Sequence, residues 1–473
     1  MVSTAPGPPA GAAAGLAGVE HVVVLMLENR SFDHMLGYLY LDAGNTSPAG
    51  DRFEGLTGRE SCPGSDGAPV GVYRLTPDTR DLYFYPGADP GEGYEATNNQ
   101  CYGSPDPPTA GAVAPMTGFV TDYAQAIRDN RARGWYVFAG TAESWIMGCH
   151  TPQTLPVLSA LASGFAVCDH WYGSAPTMTM PNRAFVCAGT SQGHMDDATK
   201  KFTVPSVFGA LGKAGLPWRI YGYDAPPLTK SDFPDTLDAP AASFGEFTDF
   251  RADAAAGSLP AYAFLEPSWG SDGNSEHPNY NVALGEQLLA ETYRAVRDGP
   301  AWHKTLLVVT YDEHGGCYDH VSPPWGATPP DDSAGEYGFD FTRFGPRVPT
   351  VLVSPLIPPG TVHRPPPGSA PFDHTSVLAT LERRFGLDPL TARDAAAPHV
   401  GGALTLTSPR TDDPLDGVTA PTPPTNPPDL ARQPSHLQRV QAALIADWLG
   451  HPPEVLDALK TNADYRAYIN RYG

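Results

Sequence analysis

Runs of consecutive apolar residues alternate along the chain with segments in which apolar residues recur every three or four positions. Residues 21–26 and 305–311 are almost wholly apolar, which is typical of strands buried on both faces of a sheet. Residues 282–297 have the helical spacing and predict an amphipathic helix. The other predicted strands are 165–169, 218–223, 261–266 and 348–354, and the other predicted helices are 31–39, 119–131, 153–162, 181–190, 206–213, 374–385, 435–449 and 454–468.

This alternation predicts the fold class and a division of the chain. Strands that alternate with helices indicate an α/β fold, with a mainly parallel sheet and helices on both faces. Residues 42–118 carry Pro, Gly and Asp at short intervals and predict long loop insertions. The expected parts are a flexible N-terminal tail (1–17), a main domain (18–407), a Pro-rich linker (408–434) and C-terminal helices packed on the core (435–473).

Composition narrows the range of partners and compartments. The chain of 473 residues has 52 acidic and 30 basic residues, and its formal charge of -22 repels nucleic acid and anionic membrane surfaces. No apolar run reaches the ~18 residues of a transmembrane segment. The first residues include no basic one and do not resemble a signal peptide, so we expect a cytoplasmic protein, or a secreted one after removal of a signal. A monomer is favoured, but the sequence does not fix the oligomeric state.

The six cysteines show no Cys-x-x-Cys spacing, which argues against zinc bound by thiolates. Cys62 and Cys101 lie in loop-like sequence and could pair in an oxidising compartment. Cys168 and Cys187 lie in apolar stretches and are expected in the core. The redox compartment therefore stays open.

Two of the predicted buried strands end in oxygen-rich turns. Glu28 and Asn29 follow the first, and Asp312 and Glu313 follow the second. The carboxyl ends of parallel strands meet at one edge of a sheet, where open α/β sheets bind their ligands. Carboxylate and amide oxygens at such an edge predict a site for a divalent cation. One strand that ends in a polar turn would be commonplace, but two of this kind are less so.

A hydroxyl residue stands just before a predicted helix that has proline in its first turn. Thr179 would there face the unpaired N–H groups and the positive dipole end of the helix, which stabilise anions. A metal ion in contact with this hydroxyl would lower its pKa and make it a nucleophile. A plain helix N-cap is the alternative, and for a lone threonine it is the commoner case.

Several of the 14 histidines lie beside acids or proline in loops. The candidates are His277, His314, His320 and His374. Each alone is more often a hydrogen-bonded structural residue than a catalyst. A phosphoester hydrolase would need such residues to hold phosphoryl oxygens and to protonate the leaving alcohol.

Together these motifs resemble the phosphoesterase family of bacterial and plant non-specific phospholipases C and of a related acid phosphatase. The similarity extends over residues 18–386. The motifs that carry it are Glu-Asn-Arg-Ser-Phe-Asp-His (28–34), Thr-x-Pro-Asn-Arg (179–183), His-Pro (277–278), Thr-Tyr-Asp-Glu-His-Gly-Gly-x-Tyr-Asp-His-Val (310–321), Phe-Gly-Pro-Arg-Val-Pro (344–349) and Asp-His-Thr-Ser-Val-Leu (373–378).

The resemblance implies an alkaline-phosphatase-like core, a phosphoesterase domain over 18–407, and roles for individual residues. Thr179 would be the nucleophile, in contact with a metal ion held by Glu28, Asn29, Asp312 and Glu313. The residues assigned to catalysis are Thr179, His277, His314 and Glu92, and those assigned to substrate binding are Asn182, His320 and His374. His277 would contact the phosphoryl group or act as the acid, whereas a loop-fixing role for Asp319 and His320 stays open.

The chain departs from the family at the candidate site. Where relatives carry Asp-Pro-Gly-His, this chain has Asp-Pro-Gly-Glu at 89–92. A carboxylate at Glu92 would repel a phosphate dianion unless it is protonated or paired with a metal, which favours diesters over monoesters. Thr177 replaces a glycine of the relatives and is a second, weaker nucleophile candidate. Met116-Thr117-Gly118-Phe119 replaces a Met-Asp-Gly-Phe whose role is open.

The expected activity is metal-assisted phosphodiester hydrolysis of the phospholipase C type. A phospholipid would be cleaved to diacylglycerol and a phospho-head group through a phospho-threonine intermediate. The alternatives are an acid phosphatase that uses the same site and a catalytically weak protein that binds lipid and metal. Oxygen ligands favour Ca²⁺, Mg²⁺ or Mn²⁺, and nearby histidines would also permit Zn²⁺ or Fe.

Overall fold

Eight strands form the central sheet of the computed structural model, which describes residues 15–198 and 201–473. The strands in chain order are β1 His21–Leu27, β2 Ser61–Pro63, β3 Pro69–Gly71, β4 Tyr73–Arg74, β5 Gly148–Cys149, β6 Ala166–Val167, β7 Trp171–Tyr172, β8 Trp218–Gly222, β9 Phe244–Glu246, β10 Tyr262–Leu265, β11 Thr305–Tyr311, β12 Thr350–Val353, β13 Thr361–Val362 and β14 Phe372–Asp373. Across the central sheet the order is β13-β6-β12-β11-β1-β10-β8-β9, and the other strands form the pairs β14-β7, β2-β3 and β4-β5.

Neighbouring strands of the central sheet are parallel except where β12 takes part. β1 lies in the middle and pairs in parallel with β10 and β11, whereas β12 is antiparallel to both β11 and β6. The predicted α/β fold with a mainly parallel sheet is therefore confirmed. The direction of β12 was not foreseen, because the apolar run of a buried strand is the same in either direction.

Helices pack against the central sheet and connect its strands. The α-helices are Phe32–Leu36, Tyr94–Tyr102, Phe119–Arg133, Pro156–Gly164, Thr179–Ala188, Val207–Lys213, Pro234–Leu237, Phe247–Ala256, Val282–Arg297, Thr375–Phe385, Ala392–Ala396, Pro428–Arg432, His436–Leu449, Glu454–Asp457 and Asn462–Tyr472. Short 3₁₀ helices span Leu41–Ala43, Leu82–Phe84, Glu143–Met147, Leu228–Ser231, Ala241–Ser243, Trp302–Lys304, Glu336–Gly338 and Val400–Ala403.

The helices agree with the sequence-based prediction where the apolar spacing is strongest. Val282–Arg297 has the predicted bounds. Two of the longer helices were missed: Tyr94–Tyr102, which is polar and lies in a loop-rich region, and Phe247–Ala256, which begins at a capping box. The short helices Pro234–Leu237, Ala392–Ala396 and Pro428–Arg432 were missed as well. The predicted helix 454–468 is two helices in the structure, because a capping box formed by Thr461 and Asp464 starts a separate helix at Asn462.

The two ends of the described chain pack against the body of the protein. Residues 1–14 lie outside the described residues. Residues 15–17 are helical and Leu16 is buried in the main core, so the last three residues of the expected flexible tail (1–17) are part of the folded protein. In the segment expected to be a linker, Leu415 and Leu430 are buried. The helix His436–Leu449 begins at a capping box and contributes buried leucines to the main core.

None of the helices within 15–198 and 201–473 has the length and apolar character needed to cross a membrane. The six cysteines are all buried free thiols. Cys62 and Cys101 are therefore not paired, and Cys62 Sγ donates instead to the carbonyl oxygen of Met116 (3.4 Å).

Candidate active site

The two central strands deliver their polar residues to one place. β1 and β11 are paired to their last residues, so Glu28 and Asp312 follow side by side at the carboxyl edge of the sheet. Asn29 has a φ of 55°, and its N–H donates to Asp312 Oδ1 (2.8 Å). The Nδ2 of Asn29 donates to Glu313 Oε1 (2.5 Å). The structure thus brings together the four residues expected to bind a metal ion.

Thr179 completes this group. It is the first residue of the helix Thr179–Ala188, and its Oγ1 donates to Asn29 Oδ1 (3.1 Å). Met178 occupies the N-cap position, so the N-cap alternative for Thr179 does not hold. The hydroxyl of Thr177 donates to a backbone carbonyl oxygen (2.6 Å) and is already engaged. Of the two candidate hydroxyls, only that of Thr179 faces Asn29.

Asn182 braces the turn that precedes Thr179. Its Nδ2 lies 2.9 to 3.2 Å from the carbonyl oxygens of Ala175, Thr177 and Met178, and its Oδ1 accepts from Ala175 N (3.0 Å). The side chain is fully buried, and each of its polar atoms is used within the turn. The expectation that Asn182 binds substrate is therefore corrected: it is a positioning residue for Thr179.

Arg183 is a site residue to which no role was assigned from the sequence. Its Nε donates to Asp312 Oδ2 (3.0 Å), its Nη2 donates to the carbonyl oxygen of Met26 (2.9 Å), and its guanidinium carbon lies 4.5 Å from the Trp269 ring centroid. Asp312 Oδ1 accepts from two backbone N–H groups, so these contacts leave Asp312 little capacity for a metal ion. Arg183 follows Thr179 by four residues and so shares its helix face, a spacing that could have revealed it.

Burial raises the pKa values of the carboxyl groups in this site. Burial, followed by repulsion from Asp312, raises the pKa of Glu28 to about 8. Burial also raises the pKa of Asp89 to about 7, and it holds the pKa values of Glu92 and Glu313 well above their usual range. A buried carboxyl group keeps its proton because the ionised form loses solvation. These groups would ionise more readily beside a positive ion.

A further acid, Asp197, belongs to the site although no sequence motif announces it. Its Oδ1 accepts from Met180 N (2.7 Å) in the first turn of the helix that starts at Thr179. Its charge contributes to the raised pKa values of Glu28 and Glu313, after burial and Asp312. Asp197 lies in a loop, and contacts made by loops leave no periodic signal in a sequence.

The donor atoms of the site fit a divalent cation. Glu28 Oε2 and Glu92 Oε1 are buried and have no hydrogen-bond partner. Further oxygens are available from Asn29, Thr179 and Glu313. An unpartnered buried carboxylate oxygen is costly, and a cation bound to it would remove that cost. The chemistry of the residues therefore agrees with the expected metal site, while the ion itself is not identified.

His277 faces Glu92 and is held as a neutral imidazole. Its Nδ1 lies 3.0 Å from the carbonyl oxygen of Pro278, which can only accept, so Nδ1 carries the ring proton. Its Nε2 lies 3.4 Å from Glu92 Oε1. Burial lowers the pKa of His277 to about 3. In this geometry the ring proton of His277 is on Nδ1 and is donated to the Pro278 carbonyl oxygen, so Nε2 has none to give, which argues against the expected role of a catalytic acid.

His314 is likewise neutral and lies against Glu313. Its Nε2 lies 2.7 Å from Gln100 Oε1, and the amide nitrogen of Gln100 is already donating to Asp122, so His314 Nε2 is the donor. Its Nδ1 lies 3.2 Å from Glu313 Oε2. Burial lowers the pKa of His314 to about 3. The geometry favours a positioning role for His314 and corrects the expectation that it takes part in proton transfer.

His374 contacts the backbone of Asp312, the residue that follows β11. Its Nε2 lies 2.5 Å from the carbonyl oxygen of Asp312, and its Nδ1 accepts from Trp171 Nε1 (3.4 Å). The ring is fully buried and both its nitrogens are occupied. The assignment of His374 to substrate binding is therefore corrected, because no nitrogen is left to contact a phosphoryl oxygen.

His320 is bound within a separate ionic network. Its Nδ1 lies 2.6 Å from Asp33 Oδ2, and Arg347 donates to both Asp33 (2.9 Å) and Asp319 (3.0 Å). These contacts join the 319–320 loop to the helix Phe32–Leu36. They favour the loop-fixing alternative for His320 over substrate binding.

A cleft of about 50 Å³ lies beside His277 and Asp89. Its walls include the aromatic rings of Trp135, Tyr136 and Tyr280, and also Leu430 and His436 from the C-terminal part of the chain. His436 Nε2 lies 3.3 Å from Asp197 Oδ2. The C-terminal segment is thus part of the site, which its distance along the sequence did not suggest.

A threonine hydroxyl among buried carboxylates, at the carboxyl edge of a mainly parallel sheet, defines the class of this protein as an enzyme that hydrolyses phosphoric esters. The chain belongs to the phosphoesterase family, whose model matches residues 19–388. The resemblance inferred from the motifs is therefore confirmed.

Curated relatives come from plants and bacteria. Non-specific phospholipase C6 from Arabidopsis thaliana is 36% identical over 84% of this chain and 74% of the relative. Non-specific phospholipase C3 from the same plant is 35% identical over 86% and 77%. Phospholipase C A from Mycobacterium tuberculosis is 29% identical over 79% and 74%. Among solved structures, a protein in the alkaline phosphatase superfamily from Vibrio parahaemolyticus is 15% identical, with a TM-score of 0.33 over 52% of this chain and 65% of that chain.

Proposed function

We propose that this phosphoesterase is a metal-assisted phosphodiesterase of the phospholipase C type, which cleaves a phospholipid to diacylglycerol and a phospho-head group. The observation that carries the proposal is the hydrogen bond from the Thr179 hydroxyl to Asn29 Oδ1 within a group of buried carboxylates. Relatives named phospholipase C at 35–36% identity support the same activity.

In the proposed reaction Thr179 is the nucleophile. Its Oγ1 passes its proton to an ionised carboxylate of the site and bonds to phosphorus, the bond from phosphorus to the diacylglycerol oxygen breaks, and that oxygen takes up the proton from the carboxyl group and leaves as the alcohol. Water then cleaves the phospho-threonine. A divalent cation held by Glu28, Asn29 and Glu313 would lower the pKa of the hydroxyl and offset the charge of the phosphate. Asn182 and Arg183 keep the helix that bears Thr179 fixed against β1 and β11.

Charge favours a diester over a monoester as substrate. Glu28, Asp89, Glu92, Asp197 and Glu313 are concentrated in the site. A phosphodiester carries one negative charge and a monoester nearly two at neutral pH, so those of these carboxyl groups that are ionised and not paired with a cation repel the monoester more. The aromatic walls of the cleft would also suit a quaternary ammonium head group through cation–π contact.

Substitution at Thr179 tests the nucleophile. We expect Thr179→Val to lower kcat by at least ~10⁴-fold, because within the described residues Thr179 supplies the hydroxyl that donates to the Asn29 side chain, and Thr179→Ser to retain measurable turnover. The assay uses phosphatidylcholine and bis-p-nitrophenyl phosphate, and acid-quenched wild-type protein is searched by mass spectrometry for phosphate on Thr179. Thr411→Val, the same change at an exposed position, is the control.

Three outcomes would overturn the proposal in different ways. Turnover by Thr179→Val at the wild-type rate would exclude Thr179 as the nucleophile. A much faster wild-type reaction with p-nitrophenyl phosphate than with either diester would make the protein a phosphomonoesterase. An absence of turnover of every ester by metal-loaded wild type would favour a binding protein.

A further inference from the structure

Three possible metal ligands meet on the side of the site that faces the cleft. Asp89 and Glu92 come from one loop and His277 from another, and one ligand atom of each lies within 4.8 Å of the others. The closest measured contact joins His277 Nε2 and Glu92 Oε1 (3.4 Å), and Asp89 Oδ1 lies 3.9 Å from His277 Nδ1.

The hydrogen bonds of His277 direct a lone pair at a carboxylate. Because Nδ1 carries the proton and lies against the carbonyl oxygen of Pro278, Nε2 can only accept. The side chain of His277 is 9% exposed, and within the described residues its Nε2 has only the contact with Glu92. The Nε2 of His277, on a side chain that is nine-tenths buried, is therefore an acceptor that faces Oε1 of Glu92. Within the described residues no other side chain places a donor between these two atoms.

One oxygen of each of the two carboxyl groups also lacks a hydrogen-bond partner. Asp89 Oδ1 and Glu92 Oε1 are buried oxygens without a hydrogen bond. No lysine or arginine in the described parts of the chain forms an ion pair with either group. Arg30, which lies close enough to act on Asp89, donates to the carbonyl oxygens of Glu276, Tyr85 and His277 instead. His436 and Arg133 also act on Asp89 through their charge, but neither forms an ion pair with it within the described residues, so no side chain there supplies a positive centre that all three acceptors share.

We propose that Asp89, Glu92 and His277 form a second divalent-cation site, beside the one at Glu28, Asn29 and Glu313. Two carboxylates and one imidazole are a mixed oxygen and nitrogen set that suits Zn²⁺ or Mn²⁺ better than Ca²⁺. Three protein ligands leave positions open for water or substrate, as in catalytic zinc sites.

The location of this second site gives it a role in the reaction. Asp89 and His277 border the cleft, and Glu92 lies near the Asn29 side chain, which accepts a hydrogen bond from Thr179. A pair of cations can stabilise the attacking and the leaving oxygen of a phosphoryl transfer. The second site would serve the leaving oxygen, because Asp89 and His277 lie on the side of the group that borders the cleft.

Metal stoichiometry tests the proposal without reference to activity. The full-length protein is stripped with a chelator, dialysed against Zn²⁺ or Mn²⁺, and analysed for bound metal by elemental mass spectrometry. We expect two ions per chain in wild type and one in Glu92→Gln. Glu95→Gln, the same change at an exposed residue three positions along the chain, should keep both ions.

A spectroscopic measurement on the wild-type protein keeps the proposal testable if the Glu92→Gln variant does not fold. With Co²⁺ as the probe, the second equivalent should give the absorption of a nitrogen-ligated ion, and His277→Ala should remove it. One ion in wild type, or two ions in a folded Glu92→Gln, would overturn the proposal. A single ion would also indicate that Glu92 is protonated and donates to His277. These results are independent of hydrolysis, so they are distinct from a failure of the phosphodiesterase proposal.

Discussion

Replacement of Asn182 by alanine tests whether this residue positions Thr179 or binds substrate. The amide makes contacts with three carbonyl oxygens and one N–H of the turn 175–178 and is fully buried. A lost hydrogen bond costs about 1 kcal/mol, and a buried polar group left without a partner costs about 1–3 kcal/mol. Since the amide has two donors and one acceptor, we expect Asn182→Ala to lower the free energy of unfolding by about 3–5 kcal/mol.

This loss is measurable as a shift in Tm. An unfolding entropy of ~2.1 cal/mol/K per residue amounts to about 1 kcal/mol/K for a chain of this length, so Tm should fall by about 3–5 °C. The turn leads directly into Thr179, and a displacement of ~1 Å at a reacting group can cost ~10²-fold in rate. We therefore expect kcat to fall by about 10²-fold while KM changes little.

Calorimetry and steady-state kinetics with bis-p-nitrophenyl phosphate provide the two measurements. Asn470→Ala, the same change on the exposed face of the last helix, should leave both Tm and kcat near their wild-type values. A variant of Asn182 with an unchanged Tm and a raised KM would refute the reasoning, because that result is expected of a residue that binds substrate.

Three further predictions concern stability, pH and the C-terminal segment. Arg183→Met leaves the Asp312 carboxylate buried without its cation and should lower the free energy of unfolding by about 3–5 kcal/mol, and an unchanged Tm would contradict this. The folded pKa of Glu28, about 8, lies above its unfolded value of ~4.3, so this group stabilises the metal-free protein below about pH 4 and that contribution is lost as pH rises through about 8. The Tm of chelated protein should fall more steeply between about pH 5 and 8 than that of metal-loaded protein, and parallel curves would count against the effect. Leu430→Ala removes a buried leucine side chain and should lower the free energy of unfolding by about 2–4 kcal/mol. It should also raise KM, because Leu430 lines the cleft. Limited proteolysis of the 408–434 segment checks this, and resistance equal to wild type would argue against it.

The strands at the centre of the sheet could be predicted because their signal is local. Each of β1 and β11 is an uninterrupted apolar run, and the acids that follow it need no distant information to be placed at the strand end. The same holds for Val282–Arg297, whose apolar stripe fixes its bounds. A polar helix such as Tyr94–Tyr102 has no such stripe, and it was missed for that reason.

The partners of the buried polar groups were decided by the tertiary structure. His374 and Asn182 stand in motifs that look catalytic, but in the folded protein backbone groups, and for His374 also the Trp171 side chain, occupy all their polar side-chain atoms. Asp197 and His436 belong to the site only because a loop and the C-terminal helix fold back onto it.

The sequence by itself therefore determined the central strands β1 and β11, the acids that follow them and the hydroxyl of Thr179, because apolar periodicity and strand ends are properties of neighbouring residues. Which acids remain without partners, and which histidines remain free, depended on contacts between segments up to several hundred residues apart. A buried polar atom must find a partner, and only the complete fold determines which partner is within reach.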